Sequence, residues 1–288
     1  FCLAWLAGCG SSTPIDTTET DDDEPPPPTL AEAVAKLPTC SSAVVDALSK
    51  DSMAPPEKDS EGYQVPNSDT LMALGASFQR LLLLDADRAL SQAEAGGYTL
   101  CRDPDDTIVL WYPASATGQA RIAWRTDDAR PLVIGSPHNL FDGTGAEAVT
   151  LFTETRARVF ISAGSHRCAN SEPAGCSGST SVCAGSSEPY VKSDMAHMTE
   201  TVFHRAHEVF VTHFADDWVI SIHCMVREGI SSSDGTGEDL PDTAAAALIG
   251  QALMEAFPTE DVTSCNAWNG AVKEPHLCGK TNTQGRYV

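Results

Sequence analysis

Positive charge is scarce in this chain. Its 18 Lys and Arg stand against 40 Asp and Glu in 288 residues, a formal net charge of −22. So acidic a surface repels phosphate over most of its area, which excludes nucleic acid as a partner. Long apolar runs are missing too, and none reaches the roughly 18–20 residues that a membrane-spanning helix needs. No Cys-x-x-Cys pair occurs, so a structural zinc held on cysteine is not expected. Neither a P-loop nor a G-x-G-x-x-G turn is present, and GCSGS at 175–179 has the wrong spacing for a nucleophile elbow. His207-Glu208 opens a zincin-like pattern, but the next histidine is His213, past the position that HExxH requires and off that helix face. Among so many acids, no carboxylate pair stands out as a glycosidase site.

What is present is an ordinary globular balance, 42% apolar and 20% charged, in a length suited to one large domain or two small ones. The opening FCLAWLAGCGSS reads as the tail of an apolar signal segment, and Leu6-Ala7-Gly8-Cys9 resembles the lipobox of bacterial lipoproteins. On that reading 1–9 is a signal remnant and Cys9 carries the lipid, the chain's only attachment to a membrane. Residues 10–29 are polar, acidic and proline-rich, and cannot bury enough surface to fold; they read as a tether, with Asp21–Glu24 a solvated charge run. The chain is expected to be a piece of a longer protein, truncated at its C-terminus, on the exported side of a bacterial envelope. Eight further cysteines (Cys40, Cys101, Cys168, Cys176, Cys183, Cys224, Cys265 and Cys278) are an even number, as a disulfide-bonded exported protein requires. Proximity favours bridges within Cys168–Cys183 and between Cys265 and Cys278.

Residues 30–97 read as a helical segment packed on the main domain, with short helices over 30–50 and a longer one over 69–95 that ends at Gly96-Gly97. Residues 98–288 read as an α/β domain. Strands are expected at Tyr98–Cys101, Thr107–Tyr112 and Arg121–Arg125, then at Pro131–Gly135, Arg158–Ala163, Trp218–His223 and Asp261–Cys265. Helices are expected at Thr144–Arg156, Met195–Phe214 and Asp242–Phe257, with a Gly/Ser/Cys loop over 164–193. This order implies a mixed, mostly parallel sheet with helices on both faces, and ligands in such sheets bind beyond the strands' carboxyl ends.

His138 follows the apolar strand PLVIGSP, His166-Arg167 follow FISAGS, and His223 closes WVISIH. Three strands thus deliver imidazoles to one rim. Asp142 and Glu147 lie in the loop and first helical turn behind His138, with Thr144 as a helix-cap candidate. Two imidazoles, a carboxylate and an open position make the ligand set of a hydrolytic zinc. On the helix expected from Met195, His197, Thr201, His204 and Glu208 form a polar stripe, either a solvated face or support for the rim, and Asp194 either caps the helix or pairs with Arg167.

The segments SPHNLFDGTGAE, ISAGSHR, SDMAHMTETVFHRAHE, ISIHC and CGKTNTQGR resemble an uncharacterised bacterial group. That group is similar in layout to the zinc carboxypeptidase and N-formylglutamate amidohydrolase superfamily, phage poly-γ-glutamate hydrolases included. The resemblance covers roughly 98–288. It implies a three-layer α/β/α sandwich and hydrolysis of an amide or peptide bond by a zinc-polarised water, with one zinc per chain. It makes His138, Glu147 and His223 the ligands, with Asp142 as the alternative because the usual His-x-x-Glu spacing is not kept. Arg167, Asp194 and His197 become catalytic candidates, and Arg167, Asn282 and Arg286 candidates for holding a substrate carboxylate. No general-base Glu is assigned: Glu228, Glu238, Glu255, Glu260 and Glu274 follow His223, none on a central strand. A small peptide or N-acyl amino acid is the expected substrate, and an anionic polymer a poor one on so acidic a chain.

Overall fold

A computed structural model describes residues 27–41, 48, 55–224, 229–269, 271–273 and 282–284. Cys9 and most of the tether, Cys278, Arg286, Glu228 and Glu274 lie outside the described residues.

The first described helix, α1 (Leu30–Ala35), opens on a reciprocal cap: Glu32 N–H donates to the Thr29 hydroxyl while the Glu32 carboxylate accepts from Thr29 N–H at 2.7 Å. The helix expected over 69–95 is two helices, α2 (Ser68–Leu82) and α3 (Ala86–Ala95). Between them Leu84 takes a left-handed φ of 63° and the Asp85 side chain caps α3 by accepting from Arg88 N–H at 3.2 Å. A break inside a leucine run leaves no trace in hydrophobic periodicity, since both sides of it are apolar.

Six strands form the main sheet: β1 (Tyr98–Arg102), β2 (Ile108–Pro113), β3 (Arg121–Arg125), β4 (Arg130–Ser136), β5 (Ala157–Ser162) and β8 (Trp218–Ser221), in the order β1-β2-β3-β5-β4-β8. The chain is therefore of the α/β class with a mixed sheet. The expectation of mostly parallel pairing is not met. β1, β2, β3 and β5 pair antiparallel, and only β5–β4 and β4–β8 are parallel. The reason is local: short turns join β1 to β2 and β2 to β3, and strands joined that way can only be antiparallel. Parallel pairing begins where helices make the crossovers. These are α5 (Gly145–Thr155), after the single turn α4 (Asn139–Asp142), and α6 (Val202–His213). The Cys-rich loop carries a small ribbon of β6 (Ser179–Thr180) and β7 (Glu188–Pro189). Further on, β9 (Ile230–Ser231), β10 (Val262–Ser264) and β11 (Val272–Lys273) form a separate parallel sheet beside α7 (Ala245–Ala256). The strand expected at Asp261–Cys265 is thus real but belongs to this second sheet.

Alternation along the strands divides the interior in two. Trp111, Ile122, Val133, Val159 and Ile161 face one core with Leu74, Phe78, Phe203 and Phe210 from the helices. Leu110, Ala123, Ile134 and Phe160 face the other with Val149 and Phe152 of α5. In the first core Phe78 meets Trp111 edge-on at 5.3 Å, and the indole N–H donates to the Ser77 hydroxyl, which in turn donates to the Ala89 carbonyl. Disulfides join Cys40 to Cys101, tying the chain after α1 to β1, and Cys168 to Cys183, closing the loop before β7. A bridge within 168–183 is as expected. Cys265 is also disulfide-bonded. These bridges fit an oxidising, exported compartment. Among the described residues no helix is long and apolar enough to cross a membrane.

Candidate metal centre

β4, β5 and β8 run parallel, so their carboxyl ends open on one rim. After β5 the chain passes through Gly164, where a Cβ would stand 1.9 Å from the Gln119 carbonyl oxygen; only glycine allows that approach on the way to His166 and Arg167. After β4, His138 occupies the cap position of α4, and its carbonyl accepts from Asp142 N–H at 2.8 Å. One helical turn therefore brings the Asp142 carboxylate back over the His138 ring. Gly143, at φ 73°, then reverses the chain into α5.

Around His138 two groups of side chains meet, one through each ring nitrogen. The buried group centres on Asp194, which is 0% exposed. One carboxylate oxygen binds His138 Nε2 at 2.7 Å and His197 Nδ1 at 2.9 Å; the other accepts from Arg167 Nε at 3.1 Å and from Arg167 Nη2. Burial alone would raise the Asp194 pKa, but the His138 ring, the His197 hydrogen bond and the Arg167 charge hold it well below the ordinary value. Burial pushes His138 the other way, down to about 4 against the pull of Asp194. The ring is neutral at pH 7, as a metal ligand must be. The Tyr190 ring lies flat on His197, centroids 3.6 Å apart, and closes this group from the loop side.

The open group uses the other face of the same histidine. His138 Nδ1 is 3.9 Å from Asp142 Oδ2, and His223 Nδ1 is 3.5 Å from that oxygen. Asp142 also accepts from Cys224 N–H at 3.2 Å, and His223 Nε2 meets the Ser221 hydroxyl at 3.1 Å. Burial would raise the Asp142 pKa; the His223 hydrogen bond, the neighbouring His138 ring and the Cys224 N–H outweigh it and hold the group below its ordinary value.

Both groups have a donor set that could hold a metal ion, His138–Asp142–His223 and His138–Asp194–His197. Distance and charge separate them. Ligand atoms about 3.3–3.6 Å apart are what bonds of ~2.0–2.2 Å at tetrahedral angles produce. The open group, at 3.5 and 3.9 Å, is near that edge length, and Arg167 Nη1 reaches its His138 Nδ1 only at 3.5 Å. In the buried group the atoms are already in direct hydrogen bonds at 2.7 and 2.9 Å, and a guanidinium neutralises Asp194. A metal ion would have to displace both. The open group is the better cage on spacing, and Asp194 is its support: a carboxylate on His138 Nε2 fixes the tautomer that keeps the lone pair on Nδ1, where a metal ion would displace only the 3.5 Å contact from Arg167 Nη1.

The structure thus brings His138, Asp142 and His223 together. Glu147 does not join them; it lies exposed in the first turn of α5, and the alternative, Asp142, supplies the carboxylate. Thr144 makes no side-chain cap and sits instead 3.4 Å from the Ser136 hydroxyl. Arg167, Asp194 and His197 do cluster, with the Arg167 guanidinium held by Asp194 through Nε and Nη2 and 3.5 Å from His138 Nδ1 through Nη1. The helix expected over 195–214 starts later. Asp194 does not cap it, and α6 begins at Val202 with Thr201 accepting from His204 N–H at 3.0 Å. His204 and His207 are buried, not on a solvated face, because residues 282–284 cover them: Gln284 donates to the Met195 carbonyl at 3.0 Å and reaches His204 Nδ1 at 3.4 Å. Asn282 is buried in this segment and its side-chain oxygen accepts from Gln284 N–H. Tyr190 was not foreseen; nothing in its sequence neighbourhood marks a stacking partner. Compared with family models, with curated proteins and with solved structures, the chain matches none.

Proposed function

We propose that the protein is a zinc-dependent hydrolase of amide or peptide bonds, acting on small carboxylate-bearing substrates such as peptides or N-acyl amino acids. The observation that carries the proposal is the convergence of His138 Nδ1, Asp142 Oδ2 and His223 Nδ1 at 3.5–3.9 Å on the carboxyl-end rim, backed by Asp194. Zinc bound there would lower the pKa of a coordinated water to about 7 and polarise a carbonyl. The chain's own part is to present two imidazoles and one carboxylate, to orient His138 through Asp194, and to leave the His223 side open, where that side chain is 36% exposed. Neither group contains a glutamate, so a proton acceptor drawn from them would be an aspartate or a histidine. The proposal includes a three-layer α/β/α fold, for which the two cores on opposite sheet faces speak. It also includes lipid attachment through Cys9, for which the lipobox-like LAGC speaks.

Metal content of protein purified without chelator tests the reading, together with amide hydrolysis assayed on N-acyl amino acids. About one zinc per chain, lost in His223→Ala along with turnover, is the expected result. A second reading is a binding protein with a structural metal. It predicts zinc at the same stoichiometry with no turnover, and a loss of stability when zinc is removed.

A further inference from the structure

Arg167 is spoken for, so a carboxylate-bearing substrate needs another partner at the rim. The adjacent residue supplies one. His166 is half-buried, and its Nδ1 accepts the N–H of Cys168 at 3.0 Å, which places the neutral ring's proton on Nε2 at the opposite edge. Phe141, the neighbour of Asp142 in α4, meets this ring edge-to-face at 5.3 Å, lies 5.4 Å from the Arg167 guanidinium and is 39% exposed. The third element comes from the chain before α2. Residues Pro56–Asp59 are bonded to the loop on both sides of Arg167: His166 N–H donates to the Pro56 carbonyl, and Asp59 N–H to the Cys168 carbonyl, each at 2.9 Å. Asp59 adopts a left-handed φ of 57° there, a conformation disfavoured for any residue with a Cβ and more common at functional sites. Lys58 lies within this tied stretch. It is exposed and makes no ion pair among the described residues. Burial first, then the Lys58 and Arg167 charges, hold the His166 pKa down, with Asp59 opposing. The ring is thus a neutral N–H donor, and the backbone ties at Pro56 and Asp59 bring Lys58 to the same loop.

We propose that His166 and Lys58 form a carboxylate subsite next to the His138–Asp142–His223 group, with Phe141 providing the apolar contact for the residue that bears the carboxylate. The inference rests on the amide-hydrolase reading and narrows its substrate to an N-acyl amino acid or short peptide ending in an apolar residue. A single negative charge suits the place better than a phosphate dianion. Glu57, Asp59 and Glu61 stand close in sequence to Lys58, and the chain carries −22 overall, so each further negative charge is repelled.

The test uses N-acetyl-phenylalanine as probe, titrated calorimetrically into the whole chain, both metal-free and zinc-loaded. N-acetyl-phenylalaninamide serves as the uncharged control and inorganic phosphate as competitor. Saturable binding of the acid by the metal-free protein is expected, with the amide control at least about tenfold weaker. Lys58→Met, an exposed change that leaves the fold alone, is expected to weaken the acid about three- to tenfold, most at low salt; His166→Gln is expected to weaken it as well. Equal binding of acid and amide overturns the subsite, as does indifference to both substitutions, displacement by phosphate at lower concentration than the probe, or no binding in either form. The two readings fail separately. Binding that appears only with zinc and ignores Lys58→Met puts the carboxylate on the metal, so the subsite falls and the metal centre stands. Charge-dependent binding by a protein that takes up no zinc keeps the subsite and removes the metal centre.

Discussion

Replacing Asp194 by Asn keeps shape and removes one charge from the most enclosed polar group in the molecule. The Asp194 side chain is 1% exposed and that of Arg167 10%, so the substitution strands a guanidinium with little water to take over. Breaking one partner of such a buried pair costs about 3–5 kcal/mol. For a chain of this size each kcal/mol is worth roughly 2–4 °C in Tm, so thermal unfolding is expected to drop by roughly 6–20 °C. Asn at 194 also no longer dictates which His138 nitrogen carries the proton, and loss of such a support typically weakens metal binding about 10–100-fold. Two assays are needed, thermal unfolding of the metal-free protein and zinc affinity by competition with a chromophoric chelator. The control is Asp194→Asn with Arg167→Met, which removes both charges; it is expected to recover much of the lost stability but not the zinc affinity. The reasoning is refuted if the single substitution leaves Tm unchanged, or if the double substitution is as unstable as the sum of its parts.

His223→Ala is expected to abolish zinc binding while shifting metal-free Tm by no more than a degree or two, because its ring is partly exposed; His138→Ala, at a buried position, is expected to lose both binding and stability, readable in the same two assays. Acid should destabilise the fold early. His138 and His207 titrate near 4 in the folded chain instead of 6.5, so as pH falls from about 6.5 to 4 the unfolded state takes up protons the native state refuses, and unfolding free energy drops by up to about 1.4 kcal/mol per pH unit for each ring. His207→Leu should flatten that slope in denaturant titrations across the window; an unchanged slope would mean that the ring is protonated in the fold. The depressed carboxyl of Asp194 adds stability that is complete above about 3.9 and is lost only as pH falls below it. Removing Cys40–Cys101, which closes 61 residues, should cost about 4 kcal/mol, and removing Cys168–Cys183, which closes 15, about 3 kcal/mol; denaturation of the Cys→Ser pairs in the absence of reductant checks the order.

The rim was legible in the sequence because an apolar run ending in histidine is visible at short range, and three such runs needed only a shared strand direction to converge. The identity of the carboxylate was not. A single turn such as α4 is too short to show periodicity, so nothing local distinguished Asp142, which folds back over His138, from Glu147, which points outward. The solvated-face alternative for the stripe of His197, Thr201, His204 and Glu208 fails at His204 for a different reason: that residue is polar by type but lies beneath residues 282–284, a contact some eighty positions away. Sheet parity followed connection length, which the turns before β2 and β3 already displayed, though the break at Leu84 was masked by leucines on both sides.

The exchange from antiparallel to parallel pairing at β5 has a kinetic side. β1, β2 and β3 close through short loops between residues 98 and 125, whereas β4 waits for β5 across α5 and for β8 across more than eighty residues. Local contacts form soonest and distant ones slowest. The hairpin half of the sheet can therefore serve as the template, and the rim that gathers His138, Arg167 and His223 is completed last. Any lesion that delays docking of β8 leaves a molecule with most of its sheet in place and its proposed chemistry missing.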